Sequence, residues 1–276
     1  MRIRCPLRVG PFGCTMVRVG LAMLQGARHE HIEALHGAAL ELGVTVEVVE
    51  LRRGDQVDGN LDALVLPGGE STAMRKASES EALLPALFTW MDQHPNRPVL
   101  GTCAGAILLA SPGGEKEPYI ATSVSRNAWG RQRQSFEALL SVDLTVPDGS
   151  VSEPHVAQAD RFNHRPLPVS PIDGPSQGEA FHGVFIRAPR FESSSVQCEA
   201  IVHLDTEVVG VLDGARMALT FHPELTTDRR FHRWLLARAD DLLSSKNQRR
   251  FETTSLVGRV EFYGNLATNG DRNSPC

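Results

Sequence analysis

A chain of 276 residues, 41% hydrophobic and 22% charged, is long enough to bury a sizeable core as one α/β domain. The formal net charge of −5 argues against a general nucleic-acid binder, and no apolar run approaches the roughly 20 residues that span a bilayer. The five cysteines (Cys5, Cys14, Cys103, Cys198 and Cys276) are scattered without a CxxC pair, which excludes a disulfide framework or a cysteine zinc site and predicts a reducing, cytoplasmic setting.

The N-terminus carries Arg2, Arg4, Arg8, Arg18 and Arg28 before the first acid, Glu30. It lacks the serine content and apolar helical face of a transit peptide, so residues 1–16 read as an extension. Val17–Met23 is predicted to be the first buried strand. The spacing of Ile32, Leu35, Ala38, Ala39 and Leu42 predicts an amphipathic helix over His29–Leu42, stopped by Gly43. Val44–Val49 and Ala63–Leu66 read as the next strands, the latter ended by Pro67-Gly68-Gly69. A helix bearing Leu83, Leu84, Leu87, Trp90 and Met91 precedes a short strand at Val99-Leu100. Strands alternating with helices predict a mostly parallel sheet covered by helices, a three-layer, flavodoxin-like α/β fold. Phe136–Val146, Gly183–Ala188, Glu207–Leu212 and Met217–Phe221 are the later strands, and Asp228–Leu243 the closing helix. Residues 147–180 hold six of the 17 prolines and few aliphatic residues, so a mobile surface insertion is expected there. The polar stretch over 244–276 reads as a C-terminal tail.

Three stretches could carry chemistry. Gly101-Thr-Cys103-Ala-Gly105 has the Gly-x-nucleophile-x-Gly form of a nucleophile elbow, a sharp strand-to-helix turn that exposes its central side chain. A thiolate would be favoured there, with the Ala104 N–H facing developing negative charge. From these five residues alone a buried cysteine in a tight turn reads equally well. Phe221-His222-Pro223-Glu224-Leu225 follows a predicted strand, where α/β sheets present catalytic groups, and Glu224 could fix the tautomer of His222. Pro223-Glu224 could equally just start a helix. In Pro67–Thr72 (PGGEST) two glycines free backbone N–H groups for an anion. Glu70 and Ser71 could hold a polar substrate while Ser71 or Thr72 caps the next helix; a plain turn with a cap is the alternative. Arg126 and Arg187 lie where they could grip a carboxylate, or serve as surface salt-bridge residues.

Taken together, these stretches resemble the class I, or triad, glutamine amidotransferases, and among them the glutaminase subunits of pyridoxal 5′-phosphate synthases. The resemblance is carried by VGLAMLQGARHEHIEAL (Val19–Leu35), LVLPGGESTAMRK (Leu64–Lys76), GTCAGAILLA (Gly101–Ala110), RNAWGRQRQSFEA (Arg126–Ala138), GVFIRAP (Gly183–Pro189) and FHPELTTDRRFHRWLL (Phe221–Leu236). It implies that Cys103 is the nucleophile, His222 the general base and acid, and Glu224 the residue orienting His222. The N–H groups of Gly69 and Ala104 would form the oxyanion hole, and Gly69, Glu70, Ser71, Arg126, Ile186 and Arg187 would bind L-glutamine. Gln25-Gly26 falls on the loop that responds to the partner, a (β/α)₈-barrel synthase subunit that consumes the ammonia. No cofactor, metal, nucleic acid or membrane is implied. A glutaminase subunit for histidine or purine synthesis would keep Cys103 and His222, but RNAWGRQ and GVFIRAP argue against it. A silent regulatory subunit is disfavoured by the complete Cys103, His222 and Glu224 set. The chain departs from the family at both extended termini, in a slightly compact stretch between Cys103 and Arg126, and in the extra residues of 147–180. Residues 17–243 are thus the expected glutaminase domain.

Overall fold

The computed structural model describes residues 16–126, 135–149 and 179–245. The chain divides into two compact units, Met1–Asp240 and Asp241–Cys276; of the second, residues 241–245 are described and are helical. The expected extension, nearly all of the expected insertion and the tail beyond residue 245 lie outside the described residues.

The first unit begins with β1 (Met16–Ala22), α1 (Arg28–Leu42), β2 (Thr45–Leu51), β3 (Ala63–Leu66), α2 (Ser71–Glu79) and α3 (Leu83–Gln93). It continues through β4 (Val99–Thr102), α4 (Ala104–Ala110), β5 (Val124–Ser125), β6 (Ser135–Val142), β7 (Ala180–Ile186) and β8 (Arg190–Phe191). The last elements are β9 (Glu199–Leu204), β10 (Glu207–Asp213), β11 (Arg216–Leu219) and a helix α5 over residues 230–240. Among the described residues nine strands form one sheet in the order β2-β1-β3-β4-β11-β10-β9-β6-β7, and β5 pairs with β8 apart from it. From β2 to β11 the neighbours are parallel. Beyond β11 every pairing is antiparallel.

This is the expected α/β architecture. All residues of β3, β4 and β11 are buried, as strands covered on both faces must be. Leu64, Leu66, Met74, Leu87, Trp90 and Leu108 belong to one apolar cluster. Helix α1 stops where Gly43 takes φ 68°, a left-handed conformation cheap only for glycine. Buried Arg216 donates to the carbonyls of Met91 (3.0 Å) and Pro95 (2.8 Å), satisfying acceptors at the end of α3.

Several strand limits differ from expectation for local reasons. The strand expected over Gly183–Ala188 starts at Ala180 and ends at Ile186, because Arg187 turns to φ 45°. The strand expected to reach Phe221 ends at Leu219. β9 was not anticipated at all; Glu199 and His203 dilute its apolar run. On the antiparallel side Phe181, Phe221 and Phe231 pack with ring centroids 5.0–5.7 Å apart, joining β7, the segment after β11, and α5. That packing, with the bond from His222 N to the Val184 carbonyl (2.9 Å), holds the chain at His222. Among the described residues no helix is long and apolar enough to cross a membrane.

Candidate active site

Four neighbouring parallel strands, β1, β3, β4 and β11, release their loops at the same edge of the sheet, where open α/β sheets bind ligands. β4 ends at Thr102 and α4 begins at Ala104, so Cys103 alone makes the turn. It does so at φ 48°, ψ −104°, in a region that side chains other than glycine avoid. Its N–H donates to the Leu219 carbonyl (2.8 Å) and its sulfur lies 3.9 Å from the Ile186 carbonyl. The flanking glycines are required by space. A Cβ on Gly105 would stand 1.9 Å from the Leu66 carbonyl oxygen, and one on Gly101 2.7 Å from Leu109.

His222 follows β11 and is buried, with Nδ1 2.7 Å from Glu224 Oε1. The imidazole and Cys103 face one another across Gly68, where an added Cβ would meet His222 Cε1 at 2.4 Å and Cys103 Cβ at 3.4 Å. Burial pushes the His222 pKa down, but the Glu224 charge and the bonds to Cys103 and Glu224 outweigh it and raise it to about 10. Burial pushes Glu224 up, and the imidazoles of His31 and His222 more than reverse this, leaving it at about 2. His31 and His232 continue the cluster: His31 Nε2 is 3.4 Å from Glu224 Oε2, and His31 Nδ1 is 2.9 Å from His232 Nε2.

These shifts have opposite signs in pH. Glu224 contributes stability that is full above its ordinary 4.5 and lost as pH falls through about 2; His222 contributes stability that is full below 6.5 and lost as pH rises through about 10. In urea unfolding, Glu224→Gln is expected to show its largest deficit against wild type between pH 4.5 and 6.5, narrowing on either side. A deficit independent of pH would refute the ion pair.

The loop after β3 supplies the facing wall. Glu70 is the true cap of α2: its carboxylate accepts from Thr72 N (2.9 Å) and Ala73 N (2.6 Å), correcting the expectation that Ser71 or Thr72 caps this helix. Those bonds hold its carboxyl below the usual range. Ser71 is buried, and exposed Arg126 donates to Thr72 Oγ1 (3.2 Å). Gly69 takes φ 145°, and Gln25 Oε1 accepts from Glu70 N (3.0 Å). Gly26 fits so tightly that a Cβ there would lie 1.9 Å from the Gly68 carbonyl oxygen.

A cavity of about 400 Å³ opens among these groups, lined by Gly69, Glu70, Ser71, Cys103, Arg126, Ile186, Arg187 and His222. Glu224 lies behind His222, and Ala104 follows Cys103 at the head of α4. All the expected site positions therefore lie in or beside this one region, although of RNAWGRQ only Arg126 falls among the described residues. Glu30, Ile107 and Leu225 also line the cavity and were not anticipated. Nor were His31 and His232. His31 sits on the buried row of α1 with Ala34, Leu35 and Ala38, and a histidine on that row was the available signal. Among the described residues no group of histidine, cysteine and carboxylate side chains is arranged to hold a metal ion.

Comparison with known proteins places the chain's likenesses in one group. Residues 21–165 and 156–240 match the SNO glutamine amidotransferase family. The pyridoxal 5′-phosphate synthase subunit PdxT of Thermococcus onnurineus is 37% identical over 231 residues, covering 81% of this chain and all of that protein. Its namesake from Methanothermobacter thermautotrophicus is 31% identical over 224 residues, with coverage of 80% and 96%. A crystal structure described as a glutamine amidotransferase shares 33% identity and a TM-score of 0.58 over 80% of this chain and 98% of its own.

Proposed function

The chain belongs to the SNO glutamine amidotransferase family, and from that membership we propose that it is the glutaminase subunit of a pyridoxal 5′-phosphate synthase. It hydrolyses L-glutamine to glutamate and ammonia, and the ammonia passes to a (β/α)₈-barrel synthase subunit. The observation that carries this reading is the convergence of Cys103, of His222 bonded to Glu224, and of Glu70 and Arg126 on one cavity. We read residues 17–243 as the glutaminase domain, 1–16 as an extension, 147–180 as an insertion and 244–276 as a tail, in a cytoplasmic protein.

The chemistry follows from the positions. Cys103 Sγ attacks the side-chain carboxamide carbon of glutamine, and the proton it gives up resides on His222. The oxygen that gains charge is held by the N–H groups of Gly69 and Ala104. His222 returns its proton to the departing nitrogen, ammonia leaves, and a γ-glutamyl thioester remains. A water deprotonated by His222 then attacks the thioester, glutamate departs and the thiol is restored. Glu224 keeps Nδ1 of His222 protonated, so that Nε2 exchanges the proton with sulfur and substrate. At the far end of the substrate Arg126 and Arg187 oppose the α-carboxylate, and Glu70, Ser71 and Ile186 complete the cradle.

Gln25-Gly26 packs directly on Gly68-Gly69. A synthase subunit that displaces this loop therefore moves the Gly69 donor as well, which links docking to turnover. The reading is tested by measuring ammonia and glutamate release from glutamine with and without a synthase subunit. Stimulated release is expected; absence of turnover beside a functional synthase would overturn the reading, and would be the result for a silent subunit.

A further inference from the structure

Two fully buried histidines, His31 and His232, adjoin the proposed triad and have no part in the mechanism above. Glu224 uses Oε1 to hold His222, while its second oxygen, also buried, takes no hydrogen bond of ordinary geometry. The group facing that oxygen is His31 Nε2, at 3.4 Å, which also lies 3.2 Å from Thr102 Oγ1. On its other side His31 Nδ1 lies 2.9 Å from His232 Nε2, and His232 Nδ1 has no hydrogen-bond partner. Burial pushes the pKa of His31 below its ordinary 6.5 and that of His232 to about 3, so above pH 6.5 both rings are neutral and each carries one proton.

Two arrangements of those protons satisfy the bond between the rings, and they differ in what they leave over. With His31 protonated on Nδ1, its bare Nε2 would accept from the Thr102 hydroxyl but turn its lone pair toward the Glu224 carboxylate, and His232 would bury an unpaired N–H. With His31 protonated on Nε2, that N–H donates to Thr102 Oγ1 and sets its positive end 3.4 Å from the carboxylate. His232 then donates from Nε2, and the atom left over is an acceptor on His232 Nδ1. Orphaned buried donors are the rarer defect, and a lone pair against a carboxylate is repulsive. The second arrangement prevails.

We infer that His31, held in its Nε2–H tautomer by His232, is a positioning residue of the active site, which keeps Glu224 charged and aimed so that His222 stays protonated on Nδ1. The inference rests on the reading of Cys103, His222 and Glu224 as the reacting set, and it extends that set through the core to α1 and α5. The titratable and charged groups around it are His222 and Glu224 after β11, Glu30 on α1, Cys103 after β4, and Arg229 ahead of α5.

His31→Gln and His31→Asn separate this role from space filling. The glutamine amide reaches the position of Nε2 and can donate to Glu224; the asparagine amide reaches only the position of Nδ1. The measurement is the rate at which iodoacetamide alkylates Cys103 as a function of pH, in the full chain, with the thermal midpoint of each variant recorded. His31→Gln is expected to follow the wild-type curve. His31→Asn is expected to have its rising limb displaced about one unit to higher pH, with a rate about tenfold lower at pH 7. Equal curves for the two variants would overturn the inference. Nitrogen-15 spectra of histidine-labelled protein supply a measurement without substitution, and a protonated Nδ1 on His31 would equally overturn it. Neither experiment needs glutamine. Failure of the glutaminase reading would instead appear as wild-type protein that releases no ammonia beside its synthase.

Discussion

Replacing Cys103 by alanine is expected to lower ammonia release from glutamine by about 10³-fold or more in the presence of the synthase subunit. The loss is large because the covalent step needs a thiolate, and among the described residues Cys103 is the one cysteine that lines the cavity. The same substitution leaves the fold intact, since alanine fills most of the space and the backbone bond to Leu219 is unchanged. It does not relieve the strain at φ 48°, which belongs to any residue with a Cβ. Cys103→Gly removes that penalty and is expected to unfold at a higher temperature than Cys103→Ala while being equally inactive. Calorimetry beside a coupled glutamate assay checks both statements. Turnover that persists in Cys103→Ala would refute the assignment of the nucleophile.

Gly105→Ala is expected to destabilise the fold strongly although it adds a single methyl group. The new Cβ would stand 1.9 Å from the Leu66 carbonyl oxygen, and both atoms belong to main chain that cannot swing aside. Helix α4 must back away from the end of β3, at a cost of about 3 kcal/mol, the upper range for overpacking. For a protein of this size that lowers the thermal midpoint by roughly 6–12 °C. Activity falls too, because Pro67-Gly68-Gly69 continues directly from Leu66 and carries one oxyanion donor of the proposed mechanism. Gly114→Ala supplies the contrast. Gly114 has the positive φ (64°) that Gly105 in α4 lacks, yet a Cβ there meets nothing within 4 Å, so it is expected to cost only about 1–2 kcal/mol. A loss at Gly105 no larger than the loss at Gly114 would refute contact with Leu66 as the reason Gly105 is necessary.

The parts of the site that were legible in the sequence are those whose meaning is local. GTCAG, PGGEST and FHPE each place a reactive or hydrogen-bonding group beside the glycine or proline that shapes its turn, and each follows an apolar strand. The helix ending at Gly43 was legible for the same reason. One part that escaped was set by a partner distant along the chain. His31 looks like a polar interruption of α1 until His232, 201 residues later, is placed against it. Glu70 escaped as the cap, where a serine or threonine was expected: its carboxylate accepts from the Thr72 and Ala73 amides two and three residues on. β9 escaped because its Glu199 and His203 are tolerated beside β10 and β6, whose pairing supplies what its composition lacks.

The register of β4 against β11 has a consequence for how such a site can change over time. Thr102 pairs with Leu219, and the next residue on one strand is Cys103 while His222 lies three beyond on the other. The spacing between sulfur and imidazole is thus measured out by peptide units, which no exchange of side chains can lengthen. The rest of the cavity wall comes from elsewhere, from Gln25-Gly26, Ile186 and Arg187. Descendants of such a chain can redraw those walls for new partners or control without recalibrating the reaction, because the ruler and the walls are inherited as separate parts.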